Sequence, residues 1–422
     1  MKTLISSDLM HIPPVPRVTL EAFCDCSESA RVVEAAAADR RMERAHVTVR
    51  MGGALAAVEA YKNASTPNVL VLDVKAGRAD LLSHLEALAD FCDAGTKVVV
   101  IGRENDILLY RELMSRGVSE YIVAPVDVLN FIAAISGLYA SAGAAPVGKI
   151  VAVTGAKGGV GASSIAHNIA SSIARDLDIQ TVLVDMDCGF GTAALDFNQD
   201  PAQGIAEAIF APERIDQNLV DRLLCKCGEK LSILAAPATL DRMYDFAETS
   251  FDALIDILRM TTPFVVLDIP HIWTAWARRA LINADEIAIV ASLDLANLRN
   301  TKNILETLRA ARAHDGHPKL IVNGVGVSRK PEINVNEFAK AVDLMPAAII
   351  PFEPKLFGTA ANNGQTIAET EPGHKIVGVI RDVACKITHR NEARKPKRNL
   401  LAPLLGLANR KALPRIEPSA TR

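Results

Sequence analysis

Ile150-Val-Ala-Val-Thr154 runs into a loop that closes with Lys157-Gly158-Gly159-Val160-Gly161-Ala162-Ser163-Ser164, and from Ser164 to Arg175 the apolar residues recur at a helical period. Strand, glycine-rich loop and helix, in that order, is the context that a phosphate-binding loop requires. Glycines let the backbone bend so that successive N–H groups face inward, and the helix N-terminus adds roughly half a positive charge, so the segment forms an anion cradle. Ser163 is placed to offer its hydroxyl to Mg²⁺. A plain strand-to-helix turn would need one or two glycines; here three fall within four positions behind a lysine.

Outward from the loop, strands and helices alternate in both directions. On the C-terminal side, strands are predicted at 150–154, 181–185, 231–235, 264–268, 286–291, 320–323 and 348–350, with helices in most of the gaps. On the N-terminal side, strands at 18–23, 46–50, 69–74, 98–102 and 120–123 alternate with helices at 29–44, 54–63, 79–91, 107–116 and 128–139. Short β-rich runs between amphipathic helices imply parallel sheets covered on both faces. The small, uncharged run Ser141-Ala-Gly-Ala-Ala-Pro-Val-Gly148 suits a linker. The expected organisation is a lead-in at 1–16, disordered because of its prolines, a first domain at 17–140, a linker at 141–148, a second domain at 149–385 and a basic tail at 386–422.

Half of the 422 residues are hydrophobic and 23% are charged, a balance that supplies two packed cores and excludes a disordered chain. The longest apolar stretches fall far short of the roughly 20 residues needed to cross a bilayer, and the N-terminus has no secretory pattern, so a cytoplasmic protein is expected. Seven cysteines without a Cys-x-x-Cys pair argue against a disulfide framework or a zinc site, and Cys225-Lys-Cys227 reads as a pair of alternating side chains. The net charge of −3 makes nucleic acid an unlikely partner. The tail departs from that balance, with ten basic residues against Glu392 and Glu417. Its stretch 399–413 could touch an anionic membrane surface or stay disordered.

The loop 157–164 resembles the deviant Walker A loop of the MinD/ParA ATPases, which implies ATP and Mg²⁺ as cofactors and a homodimer. By that resemblance Lys157 reaches the partner's phosphates. Ala162 stands where the family has the lysine that contacts its own nucleotide, a loss worth roughly ten- to 150-fold in affinity or rate. Asp187 corresponds to the aspartate that activates water, Asp185 supports the metal through water, and Asp268 is the acid of the second switch. Asn323 stands where an asparagine reads the adenine edge, and Pro351-Phe352-Glu353 resembles the loop over the base.

The run from Asp185 to Pro201, with Gln203-Gly-Ile-Ala-Glu207 after it, is similar to the CpaE/TadZ branch associated with Tad (Flp) pilus assembly, where alanine also replaces the loop lysine. That resemblance implies a positioning factor, found at a cell pole, whose partners are the pilus secretion ATPase and other assembly proteins. The first domain resembles a response-regulator receiver, so the fold class is α/β: a receiver-like (flavodoxin-like) domain followed by a MinD/ParA-type P-loop domain with a doubly wound parallel sheet. Asp73 falls at the phosphoacceptor position and Asp25 at an acid beside it. Gly102 and Ala124 replace the Ser/Thr and the Lys that transduce phosphorylation, which favours a pseudo-receiver used for dimerisation or docking. A ParA-type DNA-partition ATPase and a pseudo-ATPase scaffold stand as alternatives.

Overall fold

The computed structural model describes residues 12–139 and 148–390, apart from 63, 76, 94, 241, 329 and 330. Most of the expected linker and the tail beyond residue 390 lie outside the described residues.

The first domain follows the order β1 (Val18–Cys24), α1 (Ser27–Ala37), β2 (Ala45–Met51), α2 (Gly53–Tyr61), β3 (Val69–Asp73), α3 (Arg78–Ala89), β4 (Lys97–Gly102), α4 (Ile107–Ser115), β5 (Glu120–Val123) and α5 (Val128–Gly137). Its parallel sheet has the strand order β2-β1-β3-β4-β5, the flavodoxin-like arrangement. Alternate residues of each strand enter separate cores: Leu20 and Ala22 face the helices α1 and α5, while Phe23, Leu70 and Leu72 face the opposite layer. Residues 12–16, expected to be untethered, are instead packed. Ile12 and Val15 are buried, Val15 N–H donates to Arg41 O (2.8 Å), and the Ser136 hydroxyl donates to Pro13 O (2.8 Å). A proline that lacks a donor still offers its carbonyl. The helix expected to reach Arg44 ends at Ala37, and a short 3-10 turn at Arg40–Met42 follows, capped by Asp39, whose Oδ1 accepts from Arg41 N–H (2.9 Å).

The second domain continues with β6 (Lys149–Gly155), α6 (Ala162–Asp176), β7 (Thr181–Asp185), α7 (Ala193–Asp196), α8 (Ile205–Ile209), α9 (Gln217–Leu223), β8 (Cys225–Lys226), β9 (Leu231–Leu234), α10 (Asp252–Thr261), β10 (Phe264–Ile269) and α11 (Ala275–Asn283). It closes with β11 (Glu286–Ala291), α12 (Leu295–Ala311), β12 (Lys319–Val325), α13 (Val335–Val342), β13 (Pro346–Pro351), α14 (Pro354–Asn362), α15 (Ile367–Thr370) and α16 (Lys375–Thr388). The strand order is β13-β12-β11-β6-β10-β7-β9-β8, parallel except for the short edge strand β8, which sequence reading missed. Ile150 and Ala152 face one core, Val151 and Val153 the other, the period of two expected of a strand buried on both faces. The last helix runs three residues past 385 because Ile387 and Thr388 are still buried against the sheet. Among the described residues no helix is long and apolar enough to cross a membrane.

The domains meet at the N-terminal ends of the second sheet's strands. Arg40 Nε donates to Asp315 Oδ2 (2.8 Å) and its Nη1 to Asn283 O (3.0 Å). Arg41 bridges Asp39 (3.0 Å) and Asp315, Arg312 Nε lies 3.1 Å from Asp315, and Arg259 Nη1 lies 2.8 Å from Asp285. No side chain of this cluster is more than 7% exposed. Burial alone would raise the Asp315 carboxyl, but Arg40 and Arg312 hold it below the usual carboxylate range. Arg44–Asp256 (2.7 Å) and the Glu43–Arg279–Asp252 chain form a wetter rim.

Candidate nucleotide site

The loop between β6 and α6 lies at the other end of the sheet, past the C-terminal ends of the strands, where open α/β sheets bind ligands. Gly159 (φ 77°) and Gly161 (φ 83°) adopt left-handed conformations that cost other residues strain. Gly161 also has no room, since a Cβ there would sit 2.7 Å from Asn323 Nδ2. Three side chains hold the loop by its carbonyls. His271 Nδ1 bonds Gly155 O (2.9 Å), Asn300 Nδ2 donates to Ala156 O (2.8 Å), and Asn323 Nδ2 donates to Val160 O (2.8 Å). A trans peptide sets each carbonyl against the next N–H, so the N–H groups of Lys157 and Gly161 turn to the opposite side. Lys157, Gly158 and Gly159 are exposed, while Gly161, Ala162, Ser163 and Ser164 are half-buried at the start of α6.

Beneath the loop lies a group of carboxylates. Asp185 ends β7 in register with Asp268 of β10, and both are buried. Asp185 accepts from Asp187 N–H (3.2 Å) and Ala193 N–H (3.0 Å), so each of its oxygens holds the turn that follows. Burial and the neighbouring Asp268 carboxylate push its pKa up. Asp187 is half-buried and its Oδ1 accepts from Phe190 N–H (3.0 Å). His167, on the buried face of α6, puts Nδ1 2.7 Å from Asp196 Oδ2 and Nε2 3.3 Å from Asp268 Oδ2. The second distance is that of an ion pair and not of an aligned hydrogen bond, since Nε2 has no hydrogen-bond partner. Burial works against its charge, but the two carboxylates prevail and carry the His167 pKa up to about 10. Asp268 Oδ1 is a buried acceptor without a partner, and together with the Ser163 hydroxyl it makes a donor set that fits a magnesium ion held mainly by phosphate and water.

Residues 148–321 match the family described as AAA domain. The septum site-determining protein MinD of Synechocystis is 26% identical over 231 residues, which cover 54% of this chain and 82% of that protein. MinD of Pyrococcus horikoshii, solved as a complex with Mg-ADP, shares the fold with a TM-score of 0.51 at 18% identity, over 57% of this chain and 95% of that one. The second domain has the MinD/ParA-like P-loop fold. A pilus assembly protein CpaE from Caulobacter crescentus is 50% identical over 31% of this chain and all of that one, with a TM-score of 0.30.

In this domain the structure gathers Lys157 to Ser164, Asp185, Asp187, Asp268 and Asn323 around one loop. Asn323, expected to read a base edge, spends one side-chain N–H on the loop itself. Pro351, Phe352 and Glu353 lie one strand further out, where Phe352 N–H donates to Val325 O (2.8 Å), and none of the three bonds the loop. Sequence reading missed His167, Asn300 and His271. A histidine on the apolar face of α6 was a visible signal, because burying it requires partners; Asn300 and His271 gave no sign before the helix and loop were placed.

The first domain's counterpart to this site is closed. Asp73 is fully buried and its Oδ2 accepts from the N–H groups of Asp25 (3.0 Å) and Cys26 (3.1 Å). Its Oδ1 accepts from Arg103 Nη2 (2.8 Å). Asp25 in turn accepts from Lys75 N–H (3.1 Å). Arg103, directly after Gly102, thus fills the place beside the carboxylate with a fixed cation, and no transducing hydroxyl stands there.

Proposed function

We propose that this chain binds ATP with Mg²⁺ at residues 157–164, pairs with a second copy across that face, and serves as a positioning or assembly factor for Tad-type pilus machinery with weak or absent hydrolysis. The observation that carries it is the phosphate loop, whose carbonyls are drawn back by three side chains while position 162 lacks the lysine. In this reading Lys157 reaches the partner's nucleotide and Asp187 positions water. Ser163 and Asp268 hold the ion, with Asp185 fixing the turn beside them. Magnesium, when bound, neutralises charge on the phosphate oxygens. Residues 323 and 351–353 then border the base.

Pairing is supported by exposed apolar side chains after the strand ends of the same face: Phe190 (78% exposed), Trp273 (54%), Leu295 (76%) and Phe352 (47%). The pilus role is supported by residues 185–207 and by the identity shared with the Caulobacter protein. The first domain, with Asp73 shut by Arg103, acts as a docking module that needs no phosphorylation.

Wild type, Lys157→Ala and Ala162→Lys should be compared for ATP binding, dimer mass and phosphate release. Binding by the wild type, loss of the dimer in Lys157→Ala and faster release in Ala162→Lys are expected. A wild type that binds no ATP refutes the nucleotide reading, and intact piliation after deletion refutes the cellular one.

A further inference from the structure

We propose that His271 is a phosphate-contacting residue of the nucleotide site, supplying the positive charge that Ala162 withholds. The inference rests on the reading that residues 157–164 bind ATP. His271 stands in the segment that leaves β10, between Pro270 and the exposed Ile272 and Trp273, and is itself exposed. Its Nδ1 lies 2.9 Å from Gly155 O. A carbonyl can only accept, so Nδ1 carries the proton and the ring is anchored by that atom. Nε2 is then the one polar atom left, and no protein group among the described residues bonds it.

The free edge of the ring points at the loop. Cδ2, covalently next to Nε2, lies 3.9 Å from where a Cβ on Gly158 would stand. Position 162 flanks the same residue that anchors the ring, since a Cβ on Gly155 would be 3.4 Å from the Ala162 Cβ. The histidine and the missing lysine therefore border one stretch of loop from different elements. A phosphate oxygen placed at Nε2 would face the ring nitrogen that the protein leaves unused, and an Nε2–H there would donate to it. The result is a charge-assisted hydrogen bond from a ring already held in orientation.

The test measures ATP affinity with Mg²⁺ on the full chain by calorimetry, with the thermal midpoint of each variant as a folding control. His271→Ala should weaken binding about tenfold or more. His271→Gln can still donate to Gly155 O but carries no charge, and should lose a similar factor while keeping the loop anchored. Ala162→Lys should restore affinity in the His271→Ala background and gain several-fold less in the wild type, since the two cations serve the same phosphates. A His271→Ala protein that binds within about twofold of wild type overturns the proposal, as does an equal gain from Ala162→Lys in both backgrounds. A wild type that binds no ATP removes the parent reading and this one with it; a wild type that binds, with variants that bind equally, removes this one alone.

Discussion

Asp315→Ala is expected to unfasten the two domains, and its effect can be worked out from its surroundings. The side chain is 5% exposed and faces Arg40, Arg41 and Arg312, with Arg40 Nε at 2.8 Å and Arg312 Nε at 3.1 Å. Once it is gone, Arg41 keeps Asp39, but Arg40 retains the Asn283 carbonyl at 3.0 Å and, for a carboxylate, only Asp285 at 3.8 Å, which is already engaged by Arg259 at 2.8 Å. Breaking a buried pair by removing one partner typically costs about 3–5 kcal/mol, chiefly for the charge left behind. Arg40→Ala should cost a comparable amount, and the double variant clearly less than the two together, because the second substitution removes the stranded charge. Urea unfolding followed by circular dichroism measures all three. The same pair sets an acid limit: the Asp315 pKa is depressed on folding, so its contribution is present above the unfolded carboxyl value and fades as pH falls through the lower folded value. The variant should therefore show a flatter loss of stability below about pH 4 than the wild type. A cost under about 1 kcal/mol for Asp315→Ala, or additive single substitutions, would refute the reasoning.

Gly191→Ala places a Cβ 2.3 Å from Asp185 Oδ2, whereas Gly189→Ala meets Asp187 Oδ1 at an ordinary 3.7 Å. The first should lose about 1–3 kcal/mol in urea unfolding and the second almost nothing, and equal effects would contradict the packing around Asp185. His167→Leu strands Asp268 and Asp196 and should lower stability by about 3–5 kcal/mol, a loss that thermal or urea unfolding would reveal or deny. Incubation with acetyl phosphate and Mg²⁺ should leave Asp73 unmodified by mass spectrometry, and a phosphoryl group mapped to Asp73 would show that Arg103 does not shut the pocket.

The alternation of strands and helices was legible because the inner strands, such as β3, β7 and β10, are buried on both faces and read as apolar runs, and the loop at 157–164 because glycine spacing constrains backbone directly. The strand ends with Asp73, Asp185 and Asp268 followed from the same runs. What stayed hidden depends on contacts distant in sequence. The early end of α1 at Ala37 follows from Asp39 capping a second turn, and from Arg40 and Arg41 finding carboxylates some 250 residues away, as Asp285 and Asp315 show. Residues 12–16 read as a free leader because prolines dominate them, yet Ile12 and Val15 find a core. His271 and Asn300 matter only through the loop carbonyls they bond, and no local pattern encodes a partner of that kind.

The clasp of arginines at the base of the second sheet has a geometric consequence. It fixes the first domain to the end of the sheet away from the phosphate loop, so two copies meeting loop to loop would carry their first domains outward, at opposite poles of an elongated pair. Such a particle offers two identical heads facing away from each other. It could tether two separate targets, or grip one repeating surface twice, without any change of shape at the point where the copies join.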